Sequence, residues 1–415
     1  MTRELDLLLV GATGFTGRRA AAYLARRAPG LKLGLLARDG RKLERLELTA
    51  ERLVVDLLDR DAVFRAVGRA RVVANTAGPF AKLGDNVVDA CVYHGVHYCD
   101  ITGETAWVRR LIARHHVRAR AAGTRIVPCS GFDSVPADLA VLRLARDSGG
   151  TLADVDTIYS LQGGLNGGTL ASALYLAEHE ERGELADPWL LVPGADPTKT
   201  EREQQRDPHR PARIDGDWVA PFFMGPINRR IVQRSHALCH VHAPPGPDGV
   251  ARPLESYGES FRYREWMTTG GPLGAFAATA ALGLGGALIS TGPGRWMARH
   301  LGPEPGKGPS EETLANGSTR ARHRAMTSTN DELRLEFTAE GDPGNAVTVL
   351  TLGETALALA EPPDALELGT PGTGGVLTPA LALGDVLLAR LEHTGEYRLH
   401  PKSAEPLTQR TGSSS

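Results

Sequence analysis

Between the apolar run of residues 5–10 and an alanine-rich helical pattern over residues 18–27, the chain reads GATGFTGR, with Gly11, Gly14 and Gly17 at GxxGxxG spacing. A turn of this kind can seat a pyrophosphate. The first glycine allows a tight bend, the second lets backbone approach the phosphates, and the third lets helix close on strand. The helix N-terminus adds unpaired N–H groups and a positive dipole. Thr13, Phe15 and Thr16 complete the turn. The spacing is not GxGxxG, so the setting must carry the reading: a strand end, opening a helix, in the first crossover of an alternating series. A degenerate structural turn is the bland alternative.

At the end of the second apolar run, where an acidic residue would grip the ribose 2′-hydroxyl of NAD, the chain has Arg38, with Arg41 and Lys42 close behind. A guanidinium binds a 2′-phosphate in a fork geometry, so Arg38 and Lys42 point to NADP(H). Asp39 keeps NAD open, and a solvated basic loop is the other alternative. Asp56 ends the third strand near the adenine position, unless it only caps the next helix. The fourth strand ends in NTAGPF, which puts Asn75, Thr76, Ala77, Gly78 and Pro79 where ligands lie in such sheets, beyond the strands' carboxyl ends.

The elements that position these residues alternate. Strand-like runs at 5–10, 31–37, 53–56, 71–76, 97–101 and 124–129 are separated by helical patterns at 18–27, 41–46, 61–67, 85–94 and 107–122. This rhythm gives an α/β class, a doubly wound parallel sheet with helices on both faces. The remainder of the 415 residues changes rhythm after about Pro136: strand-like segments at 156–161, 230–238, 333–338 and 346–352 lie between turns, which suggests α+β. Residues 193–217 read as a polar mobile excursion and 402–415 as a frayed tail.

Composition excludes some classes. With 47 basic against 49 acidic residues the net charge is −2, which offers nothing to nucleic acid. The four cysteines form no CxxC pair and sit in apolar runs, and no basic leader precedes the first strand, so a cytoplasmic protein without a cleaved signal peptide is expected.

None of the eight tyrosines is followed by lysine four positions on, so the YxxxK of short-chain dehydrogenases is missing. Other motifs replace it: GATGFTGR, NTAGPF, HYCDITGE (97–104) and GFDSVPADL (131–139). They are followed by GGT (167–169), INRRIVQRSHAL (227–238), FRYREWM (261–267), PGKGPSEE (305–312) and GGVLTPALALGDVLLARL (374–391). By these the chain resembles the saccharopine dehydrogenase-like oxidoreductases, and within them the trans-acting enoyl reductases that work beside polyketide synthases.

The resemblance implies a Rossmann NADP-binding domain over 1–135 and an α+β substrate or dimerisation domain with a mostly antiparallel sheet over 136–375. A C-terminal helix over 376–400 would pack back on the first domain, ahead of the tail. It further implies an NADPH-dependent reductase of a C=C bond conjugated to a carbonyl, in a polyketide-like or lipid-like, apolar or acyl substrate that a carrier could hold. Reduction of such a bond builds negative charge on the carbonyl oxygen, which nearby donors must stabilise, and a proton must reach the α-carbon. Lys82, Tyr98 and Ser134 are the candidate catalytic donors, with Asp133 to orient them; Asp100 and Glu104 share their edge. Lys82 marks either an altered substrate or a surface charge. Two rivals stand beside this reading: an imine reductase or secondary-amine dehydrogenase, in which Asp133 and arginines grip the substrate, and a non-catalytic NADP-binding or lipid-associated scaffold.

Three further features carry both a chemical and a bland reading. RSHALCHVH gathers His236, Cys239, His240 and His242. Read as a strand it turns Cys239 away from the histidines, so no metal site is expected. Arg229, Arg230 and Arg234 could hold the phosphate of a carrier-bound or coenzyme A-bound acyl group, or be solvated strand charges. The run 267–294 is uncharged but rich in Ala, Gly and Thr, which favours a buried or homodimer-interface helix over a membrane span. Peripheral membrane contact through 270–292 is the intermediate case, with Ala277, Ala281 and Gly285 allowing close approach.

Overall fold

The computed structural model describes residues 3–162, 178, 187–242, 256–301, 310–362, 366 and 372–402. The chain opens with β1 (Leu5–Val10), α1 (Phe15–Arg27), β2 (Leu33–Ala37), α2 (Gly40–Glu44), β3 (Glu51–Val54) and α3 (Arg60–Val67). β4 (Ala70–Asn75), α4 (Phe80–Leu83), α5 (Asp85–His94), β5 (His97–Asp100), α6 (Thr105–Ala121) and β6 (Arg125–Val127) continue the alternation. α7 (Val135–Asp147) leads to β7 (Leu152–Gln162), α8 (Lys199–Gln204), β8 (Ala212–Ile214), β9 (Asp217–Pro221), α9 (Gly225–Leu238) and β10 (Arg262–Thr268). α10 (Pro272–Ile289), α11 (Gly292–Leu301), α12 (Glu311–Asn316), β11 (Ser318–Thr327) and β12 (Glu332–Glu340) follow. A π-helical turn (Pro343–Val347) runs into α13 (Thr348–Ala360), and β13 (Gly375–Val376), α14 (Pro379–His393) and β14 (Tyr397–Pro401) end the described chain.

The first sheet has the order β13-β6-β5-β4-β1-β2-β3, and all its pairings are parallel. Its central strands β1, β2 and β4 are apolar on both faces because helices cover both, while the edge strand β3 is mostly exposed. Along β1, Leu7 and Leu9 join one core cluster with α1 and α13, while Leu8 and Val10 join the other with α3 and α5. The strand order reverses between β1 and β4, which opens a crevice at their carboxyl ends.

The second sheet has the order β14-β12-β11-β7-β10-β9-β8 and is antiparallel except where β10 runs parallel to β7. After β12 the chain returns to the first sheet, and β14 then closes the second. α13 packs against α1, β1, β4 and β5. Its Glu354, fully buried, accepts from Tyr23 Oη at 2.7 Å and pairs with Arg27 at 2.9 Å and Arg390 at 3.0 Å. The return thus begins at Thr348, well before residue 376.

The structure corrects four readings of the sequence. Residues 230–238 are the second half of a helix, α9, not a strand, and residues 346–352 run from the π-helical turn into α13. In both, burial on nearly every side erases the periodicity that tells helix from strand. Residues 193–217 are built: Thr198 and Glu201 form a capping box on α8, and β8 and β9 make a hairpin. Most of the run 267–294 forms α10, in which Ala275 is the one buried residue, so among the described residues nothing buries this helix as a core helix. Residues 167–169, 305–309 and 403–415 lie outside the described residues.

Candidate active site at the carboxyl ends of the first sheet

β1 ends at Val10 and the backbone turns at Gly11, with φ +80°, where a side chain is strained. A Cβ on Gly11 would stand 2.9 Å from Ala77 N, and one on Gly17 would stand 2.1 Å from Gly11 O. Gly14 sits in the open part of the turn: a Cβ there meets Gly11 O at 3.3 Å and no other described atom within 4 Å. Gly14 also starts α1 without a side-chain cap, and no acidic residue stands in the helix's first turn. The N-terminal amide groups and the dipole therefore face this space uncompensated. Thr13, Phe15 and Thr16 line it half-buried.

Arg38 follows β2, exposed, with Lys42 exposed on α2. Asp39 accepts the Lys42 N–H at 3.2 Å and caps α2, which leaves Arg38 as the free group of that pair for a ribose phosphate. Asp56 is exposed past β3 and accepts from Leu58 N at 3.0 Å; the cap of α3 is Asp59, not Asp56. At the end of β4, Thr76 Oγ1 donates to Val10 O at 2.9 Å and Asn75 Oδ1 accepts from Ala77 N at 2.9 Å. These bonds lock the two strands where the order reverses. Gly78 is exposed beyond them, beside half-buried Ala77 and Pro79. The cradle, the bare helix terminus and the exposed Arg38 fit a dinucleotide phosphate with a 2′-phosphate.

Arg38→Ala is expected to raise the Kd for NADPH about 30-fold, the loss of roughly 2 kcal/mol from a charge-assisted bond. The Kd for NADH should change less than about twofold, because its ribose carries no phosphate for this guanidinium. Titration of cofactor fluorescence checks both, and equal losses would remove Arg38 from the 2′-phosphate.

Glu104, fully buried, accepts from Phe80 N at 2.9 Å and Ala81 N at 2.8 Å and so fixes the start of α4. Lys82 stands exposed on that short helix. Tyr98 is buried completely: its hydroxyl donates to Asp100 Oδ2 at 2.8 Å and accepts from Asn75 Nδ2 at 3.2 Å. With its proton committed, Tyr98 positions Asn75 and is not placed to reach a substrate, which corrects its expected role as a donor. Asp100 also accepts from Thr102 N at 2.9 Å and from Cys129 N at 3.0 Å, the latter from a residue at φ +60° that a non-glycine seldom adopts. The ends of β4, β5 and β6 are thereby tied into one buried network.

The loop after β6 carries Asp133 and Ser134 to the start of α7. Ser134 Oγ, buried, donates to Asn228 Oδ1 of α9 at 3.3 Å. Asn228 Nδ2 in turn donates to Glu265 of β10, at 3.2 Å to Oε1 and 2.9 Å to Oε2. Tyr263 at 2.6 Å and Tyr159 at 3.3 Å donate to the same carboxyl. A chain of hydrogen bonds therefore runs from the first sheet's strand ends into the second sheet.

Asn228, Glu265, Tyr159 and Tyr263 were not singled out from the sequence. Period two does put Phe261, Tyr263 and Glu265 on one side of a strand, an acid among aromatics, with Arg262 and Arg264 on the other. The neighbouring arginines hid Asn228, and they are already committed to protein acceptors. Arg229, buried, forks onto Asp207 at 2.8 and 2.9 Å. Arg230 donates to Asp187 O and Pro226 O, and Arg234 to Leu191 O and Val376 O. None is presented to a phosphate. His236 and Cys239 also serve the fold, His236 Nδ1 accepting from Tyr257 N and Cys239 Sγ donating to His236 O. No cluster of metal-binding side chains occurs among the described residues.

Burial raises four carboxyls: Asp133 to about 6, Asp100 to about 7, Asp138 to about 7 and Glu265 to about 8. Hydrogen bonds to Asp100, Asp138 and Glu265 pull the other way and only partly offset it. Each folded-state carboxyl holds its proton more tightly than in the unfolded chain, so its contribution to stability is complete below the unfolded value and is lost as pH rises through the folded one. The denaturant midpoint should therefore fall between about pH 5 and pH 9. Glu265→Gln should abolish the Glu265 contribution, on the order of 5 kcal/mol. Urea melts across that range check this, and an unchanged slope above pH 7 in the variant would contradict it.

The comparisons with known proteins agree with this geometry. The saccharopine dehydrogenase NADP-binding domain family matches residues 7–127. A trans-acting enoyl reductase of Mycobacterium tuberculosis is 35% identical over 428 residues, covering 95% of this chain and 97% of the relative. The trans-acting enoyl reductase of Mycobacterium ulcerans is 33% identical over 427 residues, covering 95% and 97%. Among solved structures, apo saccharopine dehydrogenase (L-Glu forming) of Saccharomyces cerevisiae shares the fold, with TM-score 0.50 at 11% identity over 96% of this chain and 99% of that one. The likeness to the enoyl reductases runs along nearly the whole of both chains, and the chain belongs to the saccharopine dehydrogenase-like oxidoreductases, in the group of the trans-acting enoyl reductases.

Proposed function

We propose that this NADPH-dependent oxidoreductase reduces a C=C bond conjugated to a carbonyl in a polyketide-like or lipid-like acyl substrate, which a carrier could present. The observation that carries the choice of bond is the fate of the charged groups. Secondary-amine or imine chemistry of the saccharopine type needs cationic grips for substrate carboxylates, and Arg229, Arg230 and Arg234 are spent on protein acceptors. What the strand-end edge offers instead is a fixed neutral hydroxyl, Ser134, on the buried chain through Asn228 to Glu265.

Gly11, Gly14, Gly17 and the start of α1 would hold the pyrophosphate, Arg38 and Lys42 the 2′-phosphate, Asp56 the adenosine side, and Asn75 to Pro79 the nicotinamide ribose. Bound NADPH supplies hydride. Ser134 is the proposed donor to the carbonyl oxygen: its proton rests on Asn228 Oδ1 and would turn from that acceptor to the substrate as negative charge develops there. Glu265, raised to about 8, is mostly protonated at neutral pH and so does not oppose this charge. Asp133, with its raised carboxyl, is the candidate to move a proton toward the α-carbon, and Lys82 is an exposed second donor on α4. A cytoplasmic setting belongs to the proposal, since Cys91, Cys99, Cys129 and Cys239 are all buried free thiols.

The test is protein-dependent NADPH oxidation with α,β-unsaturated acyl thioesters, beside imine and secondary-amine substrates. Turnover confined to the thioesters supports the reading. Turnover confined to the nitrogen substrates, or tight NADPH binding with no turnover of either set, overturns it.

A further inference from the structure

A single exposed phenylalanine is ordinary, but Phe223 ends a row of buried rings. Phe132, two positions before Ser134, meets Tyr159 edge-on with centroids 6.2 Å apart, Tyr159 stacks on Phe222 at 4.3 Å, and Phe222 meets Phe223 at 4.8 Å. The first three rings are buried in the core that α7 shares with the second sheet, whereas Phe223 is 45% exposed. The row thus runs from the loop after β6 to the surface at the loop between β9 and α9. That second loop leads straight into the part of α9 that closes over the first sheet's strand ends. A Cβ on Gly225 would stand 3.4 Å from Glu265 Cβ, and one on Gly103 would stand 3.1 Å from Ile227 Cδ1. The first turn of α9 therefore reaches from β10 to the loop after β5. Ile227 is half-buried there, as is Ile101 on the facing loop, and a Cβ on Gly131 would stand 3.6 Å from Ile101 Cβ. Residues 101–103, 129–132 and 219–228 contain no charged side chain.

We infer that Phe223, with Ile227 and Ile101, seats the aliphatic chain of the acyl substrate, and that Phe223 is the residue that makes longer chains bind more tightly. This rests on the acyl reading above and adds its specificity determinant. Ligand sites are lined mainly by apolar and aromatic side chains around a few placed polar groups, and here the placed polar group is Ser134 on Asn228. From a carbonyl held at Ser134, a methylene chain that leaves along this edge covers apolar surface and desolvates no charge. A carboxylate-bearing tail is not served in the same way. The first cations after the uncharged run, Arg229 and Arg230, are buried and held by Asp207 and by the carbonyls of Asp187 and Pro226.

The test is calorimetric titration of the full-length, NADP-loaded protein with two saturated product analogues, the butanoyl and octanoyl thioesters of N-acetylcysteamine. Binding needs no turnover, so it reads the chain seat whichever bond the enzyme reduces. The octanoyl thioester is expected to bind about 30-fold more tightly than the butanoyl one. Phe223→Ala should weaken octanoyl binding about tenfold and butanoyl binding less than about twofold. Phe223→Leu, which keeps an apolar side chain, should bind the octanoyl thioester within about threefold of the parent protein. An octanoyl preference that survives Phe223→Ala in full would overturn the inference, as would equal binding of both thioesters by the parent protein; either result leaves the acyl reading standing. Binding of neither thioester would overturn the inference and the acyl reading together.

Discussion

Gly17→Ala is expected to abolish measurable NADPH binding, an affinity loss of more than about 100-fold, and to lower stability by roughly 2 kcal/mol. The added methyl would stand 2.1 Å from Gly11 O, 2.8 Å from Thr76 Oγ1 and 2.9 Å from Gly11 C. Two of these atoms are backbone, and neither can step aside cheaply. Gly11 holds φ +80° with its N–H on Leu36 O at 2.9 Å, and Thr76 Oγ1 is bonded to Val10 O. Relief must come from lifting α1 away from β1, which removes the helix terminus from the phosphates. Gly14→Ala provides the contrast. Its methyl meets one protein atom, Gly11 O at 3.3 Å, so the apo protein should keep its Tm within about 2 °C. Yet the methyl occupies the space a pyrophosphate needs, and affinity should still fall at least about tenfold. Thermal melts with and without NADPH separate the two. If both variants lost stability equally, Gly14 would be a packing glycine and not the one the phosphates approach.

The first sheet was legible in the sequence because its signals are local. Strand runs such as Leu7 to Val10 and Val72 to Asn75 end in glycine or Asn-Thr turns, and each helix shows one apolar stripe, so element type and order follow from short windows. The place of Gly11, Gly17, Arg38 and Asn75 in the fold was legible for the same reason, since each stands at or just past a strand end that a neighbouring run defines. The second half was less so. α13 is buried from Thr348 to Leu359, and a helix buried on every side has no polar face from which a period could be read. α9 carries Arg229, Arg230 and Arg234 inside the protein, where only tertiary acceptors such as Asp207 and Leu191 O make them tolerable. Nothing near them in sequence announces those partners. Asn228 was overlooked for the opposite reason: an asparagine between an isoleucine and two arginines has no local signature, and its meaning comes from Ser134 and Glu265, 94 and 37 positions away.

Asn228→Ala and Ser134→Ala should each lower kcat with an unsaturated acyl substrate and leave the Kd for NADPH within about twofold. Ser134→Ala removes the proposed donor and is expected to cost about 100-fold, the scale for one preorganised hydrogen bond to a developing oxyanion. Asn228 acts through that donor: without its carboxamide the hydroxyl loses its 3.3 Å acceptor and is free to rotate, for an expected loss of about 30-fold. Glu265 at the same time loses the Asn228 donors and keeps Tyr263 at 2.6 Å and Tyr159 at 3.3 Å. If the three form one chain, the double variant Ser134→Ala, Asn228→Ala should be no slower than Ser134→Ala alone, because the positioning residue has nothing left to position. Its pH profile should likewise match that of Ser134→Ala. A purely structural role for Asn228 predicts otherwise: the two losses multiply to about 3,000-fold, and Tm falls in step with kcat. The cycle of four proteins, read by kcat, by the Kd for NADPH and by Tm, decides between a hydroxyl held ready for the substrate and a hydrogen bond that only fastens α7 to α9.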